Sequence, residues 1–334
     1  MILDALDGTR DHSDAFGRLR PLVANSRGEM LIDFVKTLTP DYASVYRDIA
    51  IGYAMLIGTL VGALAVEHLG APGPLIAAAG AVSVGYWIAY LVLFIHEGAH
   101  WNLAADRAHS DWLCNLLISW LAGLDVARYR KVHFQHHRAL GTVEDSENSY
   151  FFPLNLVFIA KGLFGVRALE VMLARNEFVK QTDERPGPRL HKGLVIGALA
   201  HGAIVVGLLA SGFWASALAW GAGVGLVFPF FGALRQLLEH RADDTQSQAD
   251  NRKAGNGAVS RIFGDGIIAR TFGGAGFNRH LLHHWEPAIS YTRLPDLERF
   301  LADTPLRAVM ERRTTTYGRI FRRLFSVGFS HAVR

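Results

Sequence analysis

Two pairs of long apolar runs constrain this chain more than any other feature. The first pair covers residues 49–70 and 74–95, the second residues 193–210 and 213–234. Each is close to the ~20 residues that a helix needs to cross the hydrocarbon core of a bilayer. The first pair is joined through Ala71-Pro72-Gly73-Pro74, a short connector of helix breakers, and the second around Ser211 and Gly212. Both connectors read as tight turns. The expected fold is all-α and integral to a membrane, with four transmembrane helices in two hairpins.

Charge sharpens this picture. No Lys or Arg occurs in 49–95 or in 193–234, so all 34 fall in three blocks outside the apolar runs. Basic residues collect on the cytoplasmic side of membrane proteins. The expectation is therefore one membrane domain over 1–334. Its N-terminal segment 1–48, its middle segment 96–192 and its last segment 235–334 lie together in the cytoplasm as a helical cap. A sequence pI near 9.3 could suit a nucleic-acid partner, but basic charge segregated in this way flanks a membrane instead, and no nucleic acid is expected. The start of the chain, acidic and without an apolar core, gives no sign of a cleavable leader. Cys114 is the sole cysteine, which excludes an internal disulfide and any cysteine-based zinc or iron–sulfur site.

Shorter apolar pieces at 112–124 and 151–165 cannot span and are expected to be interfacial or re-entrant helices. Near the C-terminus, Tyr317, Ile320, Phe321, Leu324 and Phe325 recur at helical spacing, with Arg319, Arg322 and Arg323 between them. Two readings fit equally: a basic amphipathic helix lying on the membrane, or one packed on the protein's own cytoplasmic part.

The chemistry is carried by histidine. Nine of the 15 histidines stand in four places on the same side of the membrane. His96-Glu97-Gly98-Ala99-His100 closes the second apolar run, and its i, i+4 spacing sets both rings on one helical face. His133-Phe134-Gln135-His136-His137 and His280-Leu281-Leu282-His283-His284 repeat an HxxHH pattern, expected to gather three rings on one helical side. His240 ends the fourth run. One HxxHH would arise by chance with a probability of roughly 0.03 at this histidine content, so two on one side of a membrane protein are not coincidence. Imidazole suits iron, copper, nickel and zinc. Nine ligands exceed the needs of one ion and match two, and a redox-active pair of irons is the natural reading. The first box also satisfies HExxH, the zinc protease pattern, but that leaves both HxxHH boxes unexplained. A metal transporter or sensor would need a pathway of charged groups within the crossings, where His201, with Glu67 and His68 at a boundary, is the sole such candidate among Asp, Glu, Lys, Arg and His.

With their surroundings, these boxes resemble the membrane fatty-acid desaturase and hydroxylase superfamily. The resemblance lies in HEGAHWNLAADRAHSDWL (96–113), HFQHHRALGTVEDSEN (133–148) and GFNRHLLHHWEPAISYTRLPDL (276–297), and extends from about residue 49 to 300. It implies a four-helix membrane bundle under a cytoplasmic cap holding two Fe ions, with O2 as co-substrate. It implies that His96, His100, His133, His136, His137, His240, His280, His283 and His284 are the iron ligands. It implies a lipid or acyl-chain substrate, with desaturation as the leading reaction and hydroxylation or ketolation of a lipid or carotenoid as the alternative. No segment resembles a fused cytochrome b5, so electrons are expected from a separate donor, a ferredoxin or cytochrome b5 with its reductase. The bacterial inner membrane is the expected location.

Histidine ligands usually donate their other N–H to a carboxylate or carbonyl. Glu97, Glu144, Asp145, Glu239 and Asp243 are the candidates for that role. Asn278 is a candidate for contact with iron or a ligand, or else for a helix N-cap. His201, inside the third run, is expected to be neutral and hydrogen-bonded. The polar insert 243–257 is expected to be a surface loop.

Overall fold

The computed structural model describes residues 13–142, 144–166, 169–170, 192–242 and 258–330, and among them it contains helices and no strand. The N-terminal part forms α1 (Ser13–Leu19), α2 (Leu31–Thr37), α3 (Tyr42–His68), α4 (Gly73–Val92) and α5 (Phe94–Ala99). The middle carries α6 (Arg107–Leu117), α7 (Val126–Ala139), α8 (Leu156–Leu163), α9 (Lys192–Ala210), α10 (Trp214–Ala222) and α11 (Phe228–His240). The last part holds α12 (Ile267–Thr271), α13 (His280–Trp285), α14 (Leu294–Ala302), α15 (Arg307–Arg313) and α16 (Tyr317–Ser330). Asp243 and the insert 243–257 lie outside the described residues.

Four helices are long and apolar enough to cross a membrane: Tyr42–His68, Gly73–Ala99, Lys192–Ala210 and Trp214–His240. They coincide with the four apolar runs, and three of them extend beyond the apolar stretch. The second and fourth thereby carry His96 and His240 at their ends. Their outward side chains suit lipid rather than water: Leu199 is 69% exposed, Val206 65% and Val61 58%. Backbone groups within such helices bond to one another, as hydrocarbon demands.

The chain divides into two compact units. One comprises Val45–His133 and Leu156–Leu234. Within it α4 packs on α10 through small residues: a Cβ on Gly80 would stand 2.7 Å from that of Ala219, and one on Gly223 2.7 Å from Val84. Without a hydrophobic drive between helices in lipid, such close backbone approach is what holds them together. The fourth crossing helix contains a π turn, Gly223–Val227. Glu67 accepts from the backbone N–H of Ala215 (2.9 Å) and Ser216 (2.8 Å) and from the Ser216 hydroxyl (2.6 Å), satisfying first-turn donors of α10 that have no partner within the helix. His201 is neutral and fully bonded, as expected. The Trp220 indole can only donate, so His201 Nδ1 accepts from it (3.2 Å) and Nε2–H donates to the Leu121 carbonyl (3.1 Å).

The other unit comprises Met1–Ser44, Phe134–Asn155 and Arg235–Arg334. Its core gathers Phe16 and Leu31 with Trp285, Leu297, Phe300 and Leu306. Phe16 stacks on Trp285 at 4.7 Å, and Phe34 on Phe300 at 4.4 Å. Trp285 directly follows the third histidine box, so this core anchors α13. Part of α16 packs within this unit. Tyr317, Ile320 and Leu324 are buried, Tyr317 stacks on Phe263 at 3.8 Å, and its hydroxyl donates to Glu239 (2.8 Å). Phe321 and Phe325 are partly buried, and Arg319, Arg322 and Arg323 are exposed.

Candidate metal centre

The first box stands at the end of the crossing helix Gly73–Ala99, which tightens at Leu93 while keeping helical dihedrals (φ −59°, ψ −30°). After α4, Leu93 leads into α5, which holds His96 and ends with His100 just outside helical geometry (φ −93°, ψ 10°). α7 brings His133 to the same place. The ring centroids of His96, His100 and His133 lie 5.1, 4.5 and 5.1 Å apart, and Nε2 of His100 and His133 are separated by 3.0 Å. Tyr129 stacks on His133 at 5.4 Å. These three histidines form the cluster of the first unit.

In the second unit, His136, His240, His280 and His284 are all buried and bring one ring nitrogen each within 4.8 Å of the others. Nε2 of His280 lies 2.8 Å from that of His240 and 3.2 Å from that of His284. His137 and His283 also meet, Nε2 to Nε2 at 3.0 Å, and neither belongs to this group of four. Each HxxHH box is therefore divided, contrary to the expectation of three rings gathered on one side. The reason is angular: successive residues of a helix diverge by about 100°, so His136 and His137 cannot aim at one point. The same holds for His283 and His284.

The donor set fits metal ions. Two imidazole nitrogens bound about 2.1 Å from one ion, at right angles, stand about 3.0 Å apart. The observed Nε2 separations of 2.8, 3.0, 3.0 and 3.2 Å bracket that value.

Among the expected supporting residues, Asp145 makes the clearest contact. Both its oxygens face His136 Nδ1, at 2.9 and 3.0 Å. A carboxylate only accepts, so Nδ1 carries the proton and Nε2 keeps its lone pair for a metal. Asp145 is itself held by the Tyr150 hydroxyl and by the Glu147 backbone N–H (2.8 Å). Glu97 is buried with Oε1 3.8 Å from His96 Nδ1, beyond hydrogen-bond reach. Glu144 is exposed. Glu239 accepts from Arg235 (2.9 and 3.2 Å) and Tyr317 rather than from a histidine. Asn278 makes no side-chain cap: its Nδ2 donates to the Gly264 carbonyl (2.8 Å), tying down the chain just before the third box.

Several residues that the sequence did not single out also shape the centre. Arg235 lies over the Phe277 ring (3.9 Å), which stacks on His280 at 4.9 Å. Arg279, beside His280, is held by Asp265 (2.9 and 2.7 Å) and Glu298 (2.7 Å). The Arg279 guanidinium in turn holds the Asp265 carboxyl below the usual carboxylate range. Arg130 and Tyr150 complete the set. Arg130 stands one turn before His133, a same-face spacing that could have drawn notice; for Tyr150 the sequence offers no signal.

A family model for fatty acid desaturase matches residues 72–316, well over half of the 334 residues. The chain belongs to the fatty acid desaturase family. A search among curated proteins finds no match. Membership makes this protein an oxidoreductase with a lipid substrate, and with its four apolar helices it makes it an integral membrane protein. The histidine clusters of this desaturase-family chain are consistent with an iron site.

Proposed function

We propose that this desaturase-family protein binds two iron ions through His96, His100, His133, His136, His137, His240, His280, His283 and His284 and introduces a double bond into a fatty acyl chain. The spacing of imidazole nitrogens in the clusters carries this reading. Buried imidazoles that converge in this way suit iron, and the desaturase family supports that choice. The ions, when bound, supply O2 activation and the oxidising power to break an unactivated C–H bond. In the overall balance O2 takes four electrons, two from the acyl chain and two from a separate donor of the ferredoxin or cytochrome b5 type.

The protein's own residues do the rest. Asp145 holds the His136 tautomer, the Phe16–Trp285 core fixes the third box, and Arg279, held by Asp265 and Glu298, pins the entry to α13. The four crossings form two hairpins, and the histidines lie on the cytoplasmic side, where the basic residues are and where a soluble reductant can reach them. A bacterial inner membrane suits this arrangement.

The test is a lipid profile. The intact chain and a His136→Ala/His283→Ala variant are expressed in a bacterial host, and total lipids are analysed by gas chromatography with mass spectrometry. The expected result is a new unsaturated acyl species with the intact chain alone, and about two irons per purified chain. An oxygenated product would assign hydroxylation instead. Zinc without iron, and no O2 consumption with reductant, would refute the oxidase chemistry.

A further inference from the structure

We infer that Arg130 is the positioning residue of the His96–His100–His133 cluster, setting the separation of these imidazoles from the helix that carries His133. The inference rests on the proposal that these histidines bind metal.

His100 presents the problem that Arg130 solves. It lies at the end of α5, where the chain has left helical geometry, so its i, i+4 relation to His96 does not fix where its ring goes. The terminal turn does. That turn is closed by Trp101 in the left-handed region (φ 58°), with Trp101 N–H donating to the Gly98 carbonyl (3.1 Å) and Asn102 N–H to the Glu97 carbonyl (2.9 Å). Glycine normally fills such a position because a side chain is strained there. A tryptophan holds it only with outside support.

Arg130 supplies the support. Its guanidinium lies over the Trp101 ring at 4.0 Å, and Arg107 approaches the same ring at 4.6 Å. Arg130 Nε donates to the Ala99 carbonyl (2.7 Å), at the end of α5, and Nη2 to the Gly98 carbonyl (3.0 Å), which also accepts from Trp101 N–H. Asp111 of α6 takes Nη1 (3.2 Å) and Nη2 from the other side. One planar fork thus ties α5, α6 and α7 together beside the histidines. Arg130 precedes His133 by three residues on α7, so both face the same way. Lysine, with a compact charge and no fork, cannot make this set of contacts.

The experiment is a Co2+ titration of the purified, metal-free full chain in detergent, followed by visible ligand-field absorption, with thermal unfolding of each apoprotein alongside. The wild type is expected to bind two equivalents. Arg130→Gln and Arg130→Lys are expected to weaken one equivalent by about 10–100-fold and shift its spectrum, leaving the other unchanged. Asp111→Asn, which loosens Arg130 without removing it, is expected to weaken the same equivalent by less. It decides the matter alone if the Arg130 variants do not fold. Wild-type affinity and spectrum in all variants would overturn the inference, as would equal weakening of both equivalents, the mark of a general loss of fold. No Co2+ binding by the wild type would instead refute the metal site on which the inference rests.

Discussion

At the scale of the residue, Gly98 shows how much of the first box is dictated by space. A Cβ at this position would stand 2.3 Å from Cys114 Sγ and 2.8 Å from Cys114 Cβ, since α6 packs directly against the helix that carries His96. Gly98→Ala is expected to destabilise the protein by about 1–3 kcal/mol, the usual cost of overfilling a packed site. Adding Cys114→Ala removes the Sγ clash and leaves the Cβ contact, so the double variant should recover part of the loss. Unfolding midpoints in detergent measure both, and a neutral Gly98→Ala would refute the packing argument. The clustering of the nine histidines was legible because residues able to share a metal keep a spacing that survives in the sequence. Asp145 stood among five carboxylates of equal standing, and only the fold could select it, because a supporting residue need satisfy no spacing rule. Arg130 has a same-face spacing to His133 as its one sequence signal, because the backbone carbonyls it bonds carry none.

At the scale of the element, the four crossing helices could be read directly because lipid imposes a length and a composition on any helix that spans it. Their packing could not. Gly85 of α4 illustrates why: an added Cβ would meet Val227 Cβ at 2.6 Å and the backbone N of Phe228 at 2.9 Å, beside the π turn Gly223–Val227. Nothing marks Gly85 as different from Gly58 or Gly62 of α3, where an added Cβ meets nothing within 4 Å. Gly85→Leu is therefore expected to prevent α4 from closing on the fourth crossing helix that α10, the π turn and α11 make up, and Gly58→Leu and Gly62→Leu to be tolerated. The yield of monodisperse protein by size-exclusion chromatography in detergent separates the cases. Equal yields from all three would mean that this seam contributes little. The division of each HxxHH box has the same origin. Spacing shows which residues share a helix, but neighbouring helices decide which ring meets which.

At the scale of the whole molecule, the open matter is which side of the membrane holds the histidines, and the chain carries a convenient means of testing it. Burial pushes the Cys114 thiol up to about 12, and the side chain is fully enclosed. The thiolate is the reactive form, so the sole native cysteine should resist maleimide at neutral pH while the protein is folded. New cysteines can then be read against a silent background. Leu69→Cys and Ser211→Cys lie at the two turns between crossings and are exposed. Arg312→Cys, at the end of α15 and also exposed, reports on the segment after the fourth crossing. With the basic blocks in the cytoplasm, a membrane-impermeant maleimide should label Leu69→Cys and Ser211→Cys in intact cells, and Arg312→Cys only after permeabilisation. The reverse pattern would place the histidines away from soluble reductants and require a membrane-bound electron donor. Labelling of one turn without the other would contradict the two-hairpin arrangement itself, because both turns must emerge on one face if all three basic blocks occupy the other.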